Sequence, residues 1–94
     1  MSSHTFKCND TEKLISNIFR KFSNSYDLKE YRITNGYGTR IEFNKDKAGN
    51  NKAGKKGMIL NVFYTGNCDP QGTVDEELFK QIELLAKDIN EGKI

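Results

Sequence analysis

The stretch that decides the fold is GMILNVFYTGNCDPQGTVDEELFKQIELLAKDI, which runs from Gly57 to Ile89. In its first part, residues 58–64, every second residue is apolar, and the residues between them are partly polar and partly apolar. This part is rich in β-branched and aromatic side chains. That pattern predicts a strand with one buried face. Gly66 then predicts a turn, because glycine takes positive φ at no steric cost. Pro70 cannot donate a ladder hydrogen bond, so residues 68–71 predict at most a short edge strand.

The second part of this stretch predicts an amphipathic helix over Val74–Asn90. Thr73 and Glu76 have the spacing of a capping box, in which a hydroxyl and a carboxylate each cover a free backbone amide. Gly92 suits the position just after the helix end. The apolar residues recur at helical spacing and form one stripe: Leu78, Phe79, Ile82, Leu85, Ala86 and Ile89.

The N-terminal part of the chain predicts a tail and a first helix. Residues 1–8 show no periodicity and predict a flexible tail, in which Phe6 can still pack against the fold. Asn9 can cap a helix over Asp10–Phe22, with Glu12 at the third helical position. Apolar residues at helical spacing support this helix: Leu14, Ile15, Ile18, Phe19 and Phe22.

A hairpin is predicted next, with strands over Tyr26–Thr34 and Thr39–Asn44. Asn35-Gly36 between them favours a type I′ turn, because both central positions of that turn need positive φ. A four-residue turn that also includes Tyr37-Gly38 is the alternative. A lysine-rich loop over residues 45–56 then leads to the strand at Met58. This loop has no apolar residue larger than alanine, so it cannot bury a side chain and is expected at the surface.

The order helix–strand–strand–strand–short strand–helix predicts one domain, residues 1–94, of the α+β class. We expect a two-layer sandwich with both helices on one face of an antiparallel sheet. Strand alternation assigns seven residues to the covered face: Tyr31, Ile33, Ile41, Phe43, Leu60, Val62 and Tyr64. It assigns seven others to the open face: Arg32, Thr34, Arg40, Glu42, Ile59, Asn61 and Phe63.

Composition restricts the classes of function. The chain has 94 residues and a formal net charge of +2, which is too small to argue by itself for nucleic acid or membrane. The polar N-terminus and the lack of a long apolar run predict a cytoplasmic protein without a membrane span. Cys8 and Cys68 lack metal-ligand spacing and predict two reduced thiols. With His4 as the one histidine and no phosphate-binding or calcium motif, the sequence predicts no catalytic residue, metal site or cofactor.

The remaining candidate site is a surface. Phe63 flanked by arginines on the open face suggests a stacking platform with basic edges, although a covered face or a homodimer is an equal alternative. The candidate nucleic-acid-binding residues on the sheet are Arg32, Arg40, Asn61 and Phe63. The loop lysines add candidate phosphate contacts, against the alternative of a solubilising loop: Lys45, Lys47, Lys52, Lys55 and Lys56.

A resemblance to a known fold rests on four successive features. They are the strand ending Val62-Phe63-Tyr64, the turn Thr65-Gly66-Asn67, the return to Gln71-Gly72 and the helix whose first turn is acidic. Together they resemble one repeat of the TATA-box-binding-protein fold. The same half-fold is similar to the N-terminal substrate-binding domain of ribonuclease HIII, and it also resembles domains in some bacterial ribonuclease toxins. Asn67 stands where lysine is common in that repeat. Asp69-Pro70 interrupts the return strand, and the lysine-rich loop is extra. With these departures the resemblance implies backbone-directed binding of a nucleic acid, or a different partner altogether, and not insertion into a DNA groove. A full saddle would need a homodimer or a partner domain.

Three hypotheses follow from the residues and the resemblance. The first is a non-catalytic nucleic-acid-binding module that uses the open face and the lysine-rich loop. The second is a small regulator that binds a protein, such as an antitoxin or a phage-type inhibitor of a host enzyme. The third is the substrate-binding domain of a larger nuclease. The salt dependence of binding separates the first hypothesis from the second. Phosphate binding weakens steeply as salt is raised, whereas protein binding through an apolar face need not.

Overall fold

The computed structural model describes residues 5–33, 36–45, 58–72 and 74–94. Within these ranges the chain forms an antiparallel sheet and two helices, so the predicted α+β class is confirmed. The elements in chain order are β1 (Phe6–Lys7), α1 (Thr11–Phe22), β2 (Tyr26–Arg32), β3 (Gly38–Lys45), β4 (Ile59–Phe63), β5 (Asn67–Gln71) and α2 (Glu76–Asn90). The strands lie in the spatial order β1-β5-β4-β3-β2.

Both helices are capped by an aspartate. The Asp10 side chain accepts a hydrogen bond from the backbone amide of Lys13 at the start of α1, so the predicted cap at Asn9 is wrong by one residue. Asp75 does the same for the amide of Leu78, at 3.1 Å, at the start of α2. Aspartate is as good a cap as asparagine and better than threonine, so several neighbouring candidates compete at each helix start.

The cap at Asp75 shifts the start of α2 to Glu76, two residues later than predicted. Thr73, the predicted cap, lies outside the described residues. The predicted end is confirmed, because Gly92 follows the helix with φ +77°. This left-handed conformation is the one that favours glycine after a helix.

The core lies between the helices and one face of the sheet. Both helices pack on this side, and the predicted apolar stripe of α2 is buried throughout. On the sheet the buried set from β3 and β4 is as predicted: Ile41, Phe43, Leu60 and Val62. At one end of the core the Phe43 ring meets Phe22 and Tyr26 edge-on, with centroids 6.1 Å and 6.0 Å apart. Edge-to-face geometry at this separation is favourable for aromatic rings.

Three of the residues predicted to face the core do not. Tyr31 is 45% exposed and Tyr64 is 58% exposed. Tyr31 lies opposite Arg40 in the β2–β3 register, which places it on the face away from the helices. Ile33 follows β2 and is only half-buried, and Tyr64 follows β4 in a turn.

The error in β2 has a physical cause. Its apolar residues change parity along the strand, with Tyr26 and Leu28 on one face and Tyr31 on the other. Helix α1 covers only the first part of β2, where Tyr26 contacts Phe22 with ring centroids 6.2 Å apart. The residues at the covered end of β2, Tyr26 and Leu28, therefore decide which side chains of the strand face the core.

The predicted tail, residues 1–8, is wrong for its last three residues. Phe6 pairs with Cys68, and the Cys8 amide donates to the Gly66 carbonyl at 2.9 Å, so β1 extends the sheet. The Phe6 ring packs 5.4 Å from that of Phe79. A two-residue strand leaves no periodicity in the sequence, which is why the pattern missed it. Residues 1–4 lie outside the described residues.

Strand β1 lies beside β5 only at the start of β5, so residues 68–71 form the predicted short edge strand except at Cys68, which has a partner on both sides. Pairing with β1 involves only Asn67 and Cys68. Pro70 lies beyond this contact and pairs with Leu60 of β4 on the other side. A proline is tolerated there because β1 does not extend far enough to need its missing amide.

The predicted hairpin at Asn35-Gly36 is present, since β2 and β3 pair along their whole length. Gly36 has φ +71°, whereas Asn35 lies outside the described residues. Lys45, the first residue of the predicted lysine-rich loop, is instead the last residue of β3 and pairs with Tyr26. The rest of that loop lies outside the described residues.

Candidate functional site

The candidate site is the sheet face opposite the helices, which we call the open face. Cross-strand partners share a face and alternate along each strand, so the register defines its members. One row crosses four strands and joins Tyr31, Arg40, Asn61 and Asp69. No described helix crosses this face.

A polar network holds the middle of this row. Arg40 Nε donates to Asn61 Oδ1 at 3.2 Å. Asn61 Nδ2 donates to Asp69 Oδ1 at 3.3 Å and to Gln71 Oε1 at 3.2 Å. Asn61 is only 9% exposed, although it lies on the side of the sheet without helices. Its amide group is therefore enclosed by its neighbours, and it fixes the position of the Arg40 guanidinium.

Arg40 keeps binding capacity after this contact. A guanidinium carries five N–H donors, and Nε supplies the one that Asn61 accepts. Among the described residues, no side chain accepts from its two terminal nitrogens. These nitrogens are the pair that binds a phosphate or a base edge in a bidentate manner. The open face thus presents one positioned cation near its centre.

Apolar side chains flank the network. Phe63 and Ile59 lie on the open face and are half-buried. Phe63 is paired across the strands with Gly38, which has no side chain, so nothing on β3 stands beside the Phe63 ring in this register. Tyr31 lies two strands away from β4, about 10 Å at the usual strand spacing, and is exposed.

The charges of the described residues on the open face balance. The register places three cations on it, Lys7, Lys29 and Arg40. It also places three carboxylates there: Asp27, Glu42 and Asp69. Lys29 and Glu42 are direct cross-strand partners. The described part of the face is therefore a mixed polar and aromatic surface, and of the two arginines expected beside Phe63 only Arg40 lies on it.

The predicted site residues divide into three groups. Arg40, Asn61 and Phe63 lie together on the open face as predicted. Arg32 does not, because it lies opposite Thr39, which in turn lies opposite the buried Val62; it is an exposed residue on the helix side of the sheet. Lys45 ends β3, and nothing is described for its side chain. The other four lysines lie outside the described residues: Lys47, Lys52, Lys55 and Lys56.

Tyr31 is the open-face residue that the pattern missed. A two-residue turn at Asn35-Gly36 sets a register in which Arg32 is opposite Thr39 and Tyr31 is opposite Arg40, and this register is observed. Since alternation with Ile41 already assigns Arg40 to the open face, the turn alone would have placed Tyr31 beside it. The signal in the sequence was the register and not the apolar character of Tyr31.

The two thiols lie away from this surface and are poor nucleophiles. Cys8 and Cys68 are free and buried in the core. Burial raises the pKa of both, that of Cys68 to about 12. Reactivity needs the thiolate, which is scarce at neutral pH when the pKa is so high. Among the described residues there is also no group of three or more metal-ligating side chains.

Comparison of the chain with protein-family models, curated proteins and solved structures finds no match. The resemblance to one repeat of the TATA-box-binding-protein fold therefore stays a prediction. Neither α1 nor α2, the helices within the described ranges, has an apolar stretch of the length that a membrane crossing requires. The open face is the feature from which a function can be argued.

Proposed function

We propose that this protein is a non-catalytic binding module that holds single-stranded nucleic acid on the open face of its sheet. The observation that carries the proposal is the half-buried Phe63 ring, which has the bare Gly38 on one side and lies on the same face as the positioned Arg40. An aromatic ring on a sheet can stack with any base, because every base has a π-face.

The balanced charge of the open face favours unpaired bases over a duplex. Binding to duplex backbone depends on neutralising several phosphates, which needs an excess of cations. The open face instead offers stacking at Phe63 and Tyr31 and one arginine with free terminal nitrogens. Stacking makes a large contribution for single strands, about 1–3 kcal/mol per base, and needs few phosphate contacts.

The lysine-rich segment enters this proposal as a prediction from the sequence. It connects β3 and β4, the strands that carry Arg40 and Phe63. Its lysines are proposed to neutralise phosphates without sequence preference. Replacing one phosphate-binding lysine with alanine should then flatten the slope of log affinity against log salt by roughly 0.7 for a single strand.

The test is fluorescence anisotropy with labelled single-stranded DNA, single-stranded RNA, duplex DNA, duplex RNA and hybrid at two salt concentrations. We expect the single strands to bind more tightly than the duplexes. Phe63→Ala should weaken single-strand binding about 5- to 150-fold, which is the stacking contribution of one base. Leu84→Ala, an exposed apolar residue on α2, is the control and should leave binding unchanged.

Two results would overturn the proposal. One is an absence of binding to all five nucleic acids at low salt, in which case the protein-binding regulator becomes the leading hypothesis. The other is a Phe63→Ala variant that melts like the unmodified protein and binds equally well. Sedimentation at the assay concentrations is needed alongside, since a homodimer formed through the open face would also bury Phe63.

A further inference from the structure

A second surface, away from the open face, combines an apolar floor with a cationic rim. It is a groove of about 400 Å³ between α2 and β1. Phe6 and Leu84 provide its apolar part, Lys80 and Lys87 flank it, and Glu83 is its acidic member. Lys7 also lines it, where its backbone carbonyl meets Asn90, but the register places the Lys7 side chain on the open face. We call it the α2–β1 groove.

Leu84 is the residue that the fold does not explain. The buried side of α2 is complete without it, and Leu84 is 53% exposed. Lys80 lies four residues before Leu84 and Lys87 lies three residues after it. The three side chains therefore share one side of the helix. Lys80 and Lys87 form no ion pair with any described residue. Two unpaired cations thus flank an exposed leucine.

One end of the groove is held in place by Asn90. Its Nδ2 donates to the Lys7 carbonyl at 2.8 Å, and its Oδ1 accepts from the Asn9 amide at 2.6 Å. These contacts attach β1 to the end of α2. They also occupy the Lys7 carbonyl, which an added strand would need as the acceptor for one of its own amides. An occupant would be recognised by its side chains.

We infer that the α2–β1 groove docks a peptide segment of a partner protein, with a bulky apolar side chain flanked by Asp or Glu. Lys80 and Lys87 against Glu83 leave this side of the groove with a net positive charge, which is complementary to carboxylates. The apolar floor of Phe6 and Leu84 requires an apolar anchor between them. This binding surface is independent of the nucleic-acid-binding proposal, because it lies on the helix side of the molecule.

Charge and size argue against the other occupants. A second copy related by two-fold symmetry would place the same lysine rim against itself, and like charges in contact are unfavourable. The groove is at the small end of the usual range for ligand sites, about 300–1,000 Å³, so it accepts one or two side chains. The affinity for such a peptide should accordingly be micromolar, as for weak and transient contacts.

The test selects peptides from a random twelve-residue display library on the immobilised full chain. The enriched peptides are then synthesised with a fluorescein label and measured by anisotropy. Leu84→Glu replaces the apolar anchor with a carboxylate. Gln81→Glu makes the same change in charge at an exposed position of α2 that does not line the groove, and serves as the matched control.

We expect enriched peptides to combine an apolar anchor with neighbouring carboxylates and to bind more weakly as salt is raised. Leu84→Glu should weaken them at least tenfold, whereas Gln81→Glu and Phe63→Ala should change binding by less than about twofold. Retention of binding by Phe63→Ala separates this site from the open face. Circular dichroism melts of each variant show that loss of binding is not loss of folding.

Three outcomes would overturn the inference. The first is a selection that enriches no acidic–apolar peptides. The second is that the enriched peptides bind Leu84→Glu as tightly as the unmodified protein. The third is that the chain co-sediments with phosphatidylserine-containing vesicles when no selected peptide is present, and that Leu84→Glu abolishes this co-sedimentation. That result would assign the groove to a membrane surface instead.

Discussion

Gly38 is the position at which a single added methyl group tests the described sheet most directly. A Cβ built there would overlap the Val62 carbonyl oxygen and lie 2.8 Å from Phe63 Cα. Real Cβ atoms essentially never approach other atoms this closely. The obstructing atoms belong to the backbone of β4 and cannot rotate away. Gly38→Ala should therefore force β3 and β4 apart at this end of the sheet.

The magnitude follows from two opposing effects. Inserting a methyl group into a packed region typically costs about 1–3 kcal/mol. Replacing glycine with alanine also restricts the unfolded chain, which offsets about 0.4–1 kcal/mol of that cost. The difference of the two ranges is about 0–2.6 kcal/mol. Because the obstructing atoms are backbone and cannot rotate away, we expect Gly38→Ala to lie in the upper part and to lower the free energy of unfolding by about 1–2.5 kcal/mol. For a domain of this size that corresponds to a drop in Tm of roughly 4–20 °C.

Urea and thermal melts followed by circular dichroism provide the assay, with Gly92 as the control position. Gly92 has φ +77° and nothing within 4 Å of its added Cβ, so alanine there meets backbone strain but no obstruction. Asparagine tolerates positive φ, so Gly92→Asn should be nearly neutral. Gly38→Asn should be at least as destabilising as Gly38→Ala, because its Cβ meets the same atoms.

A Gly38→Ala variant within about 0.5 kcal/mol of the unmodified protein would refute this reasoning, since that is the usual range of surface substitutions. It would mean that β3 and β4 do not approach each other so closely at Gly38. Rescue of stability by Gly38→Asn would instead show that the requirement is conformational and not steric.

The other predictions concern the core, a helix cap and the thiols. Ile82→Ala should cost about 2–5 kcal/mol in urea melts, because the side chain is fully buried in the stripe of α2; a loss no larger than that of Gln81→Ala would contradict this. Asp75→Ala should cost about 0.5–2 kcal/mol through loss of the α2 cap, and an unchanged melt would show that another residue caps the helix. Burial raises the pKa of Cys68 from 9.0 to about 12, so the folded state holds this proton more tightly than the unfolded state. Its contribution to stability is then complete below pH 9 and lost as the pH rises toward 12, and Cys68→Ala should show a shallower decline in melts over this range. Cys8 and Cys68 should react with a thiol reagent only after denaturant is added; fast labelling of the native protein would contradict their burial.

Part of the candidate site could be predicted from the sequence, because local patterns determine it. Ile41 and Phe43 alternate with polar residues, which was enough to place Arg40 on the open face. The same reasoning on β4 placed Asn61 and Phe63 there. Alternation assigned Arg32 to the wrong face, because β2 has apolar residues on both of its faces. Which of those faces is buried is decided by the part of β2 that α1 covers. The enclosed amide of Asn61 also could not be anticipated, because its partners come from β3 and β5.

By itself, the sequence determined the features that rest on contacts between near neighbours: the two amphipathic helices, the end of α2 at Gly92, the hairpin at Asn35-Gly36 and the alternation of β3 and β4. Tertiary structure decided the rest. Strand β1 exists because Phe6 packs on Phe79, and Cys8 bonds to Gly66, residues far apart in the chain. The α2–β1 groove exists for the same reason. Periodicity records which residues of one segment share a face, but not which distant segment will cover that face.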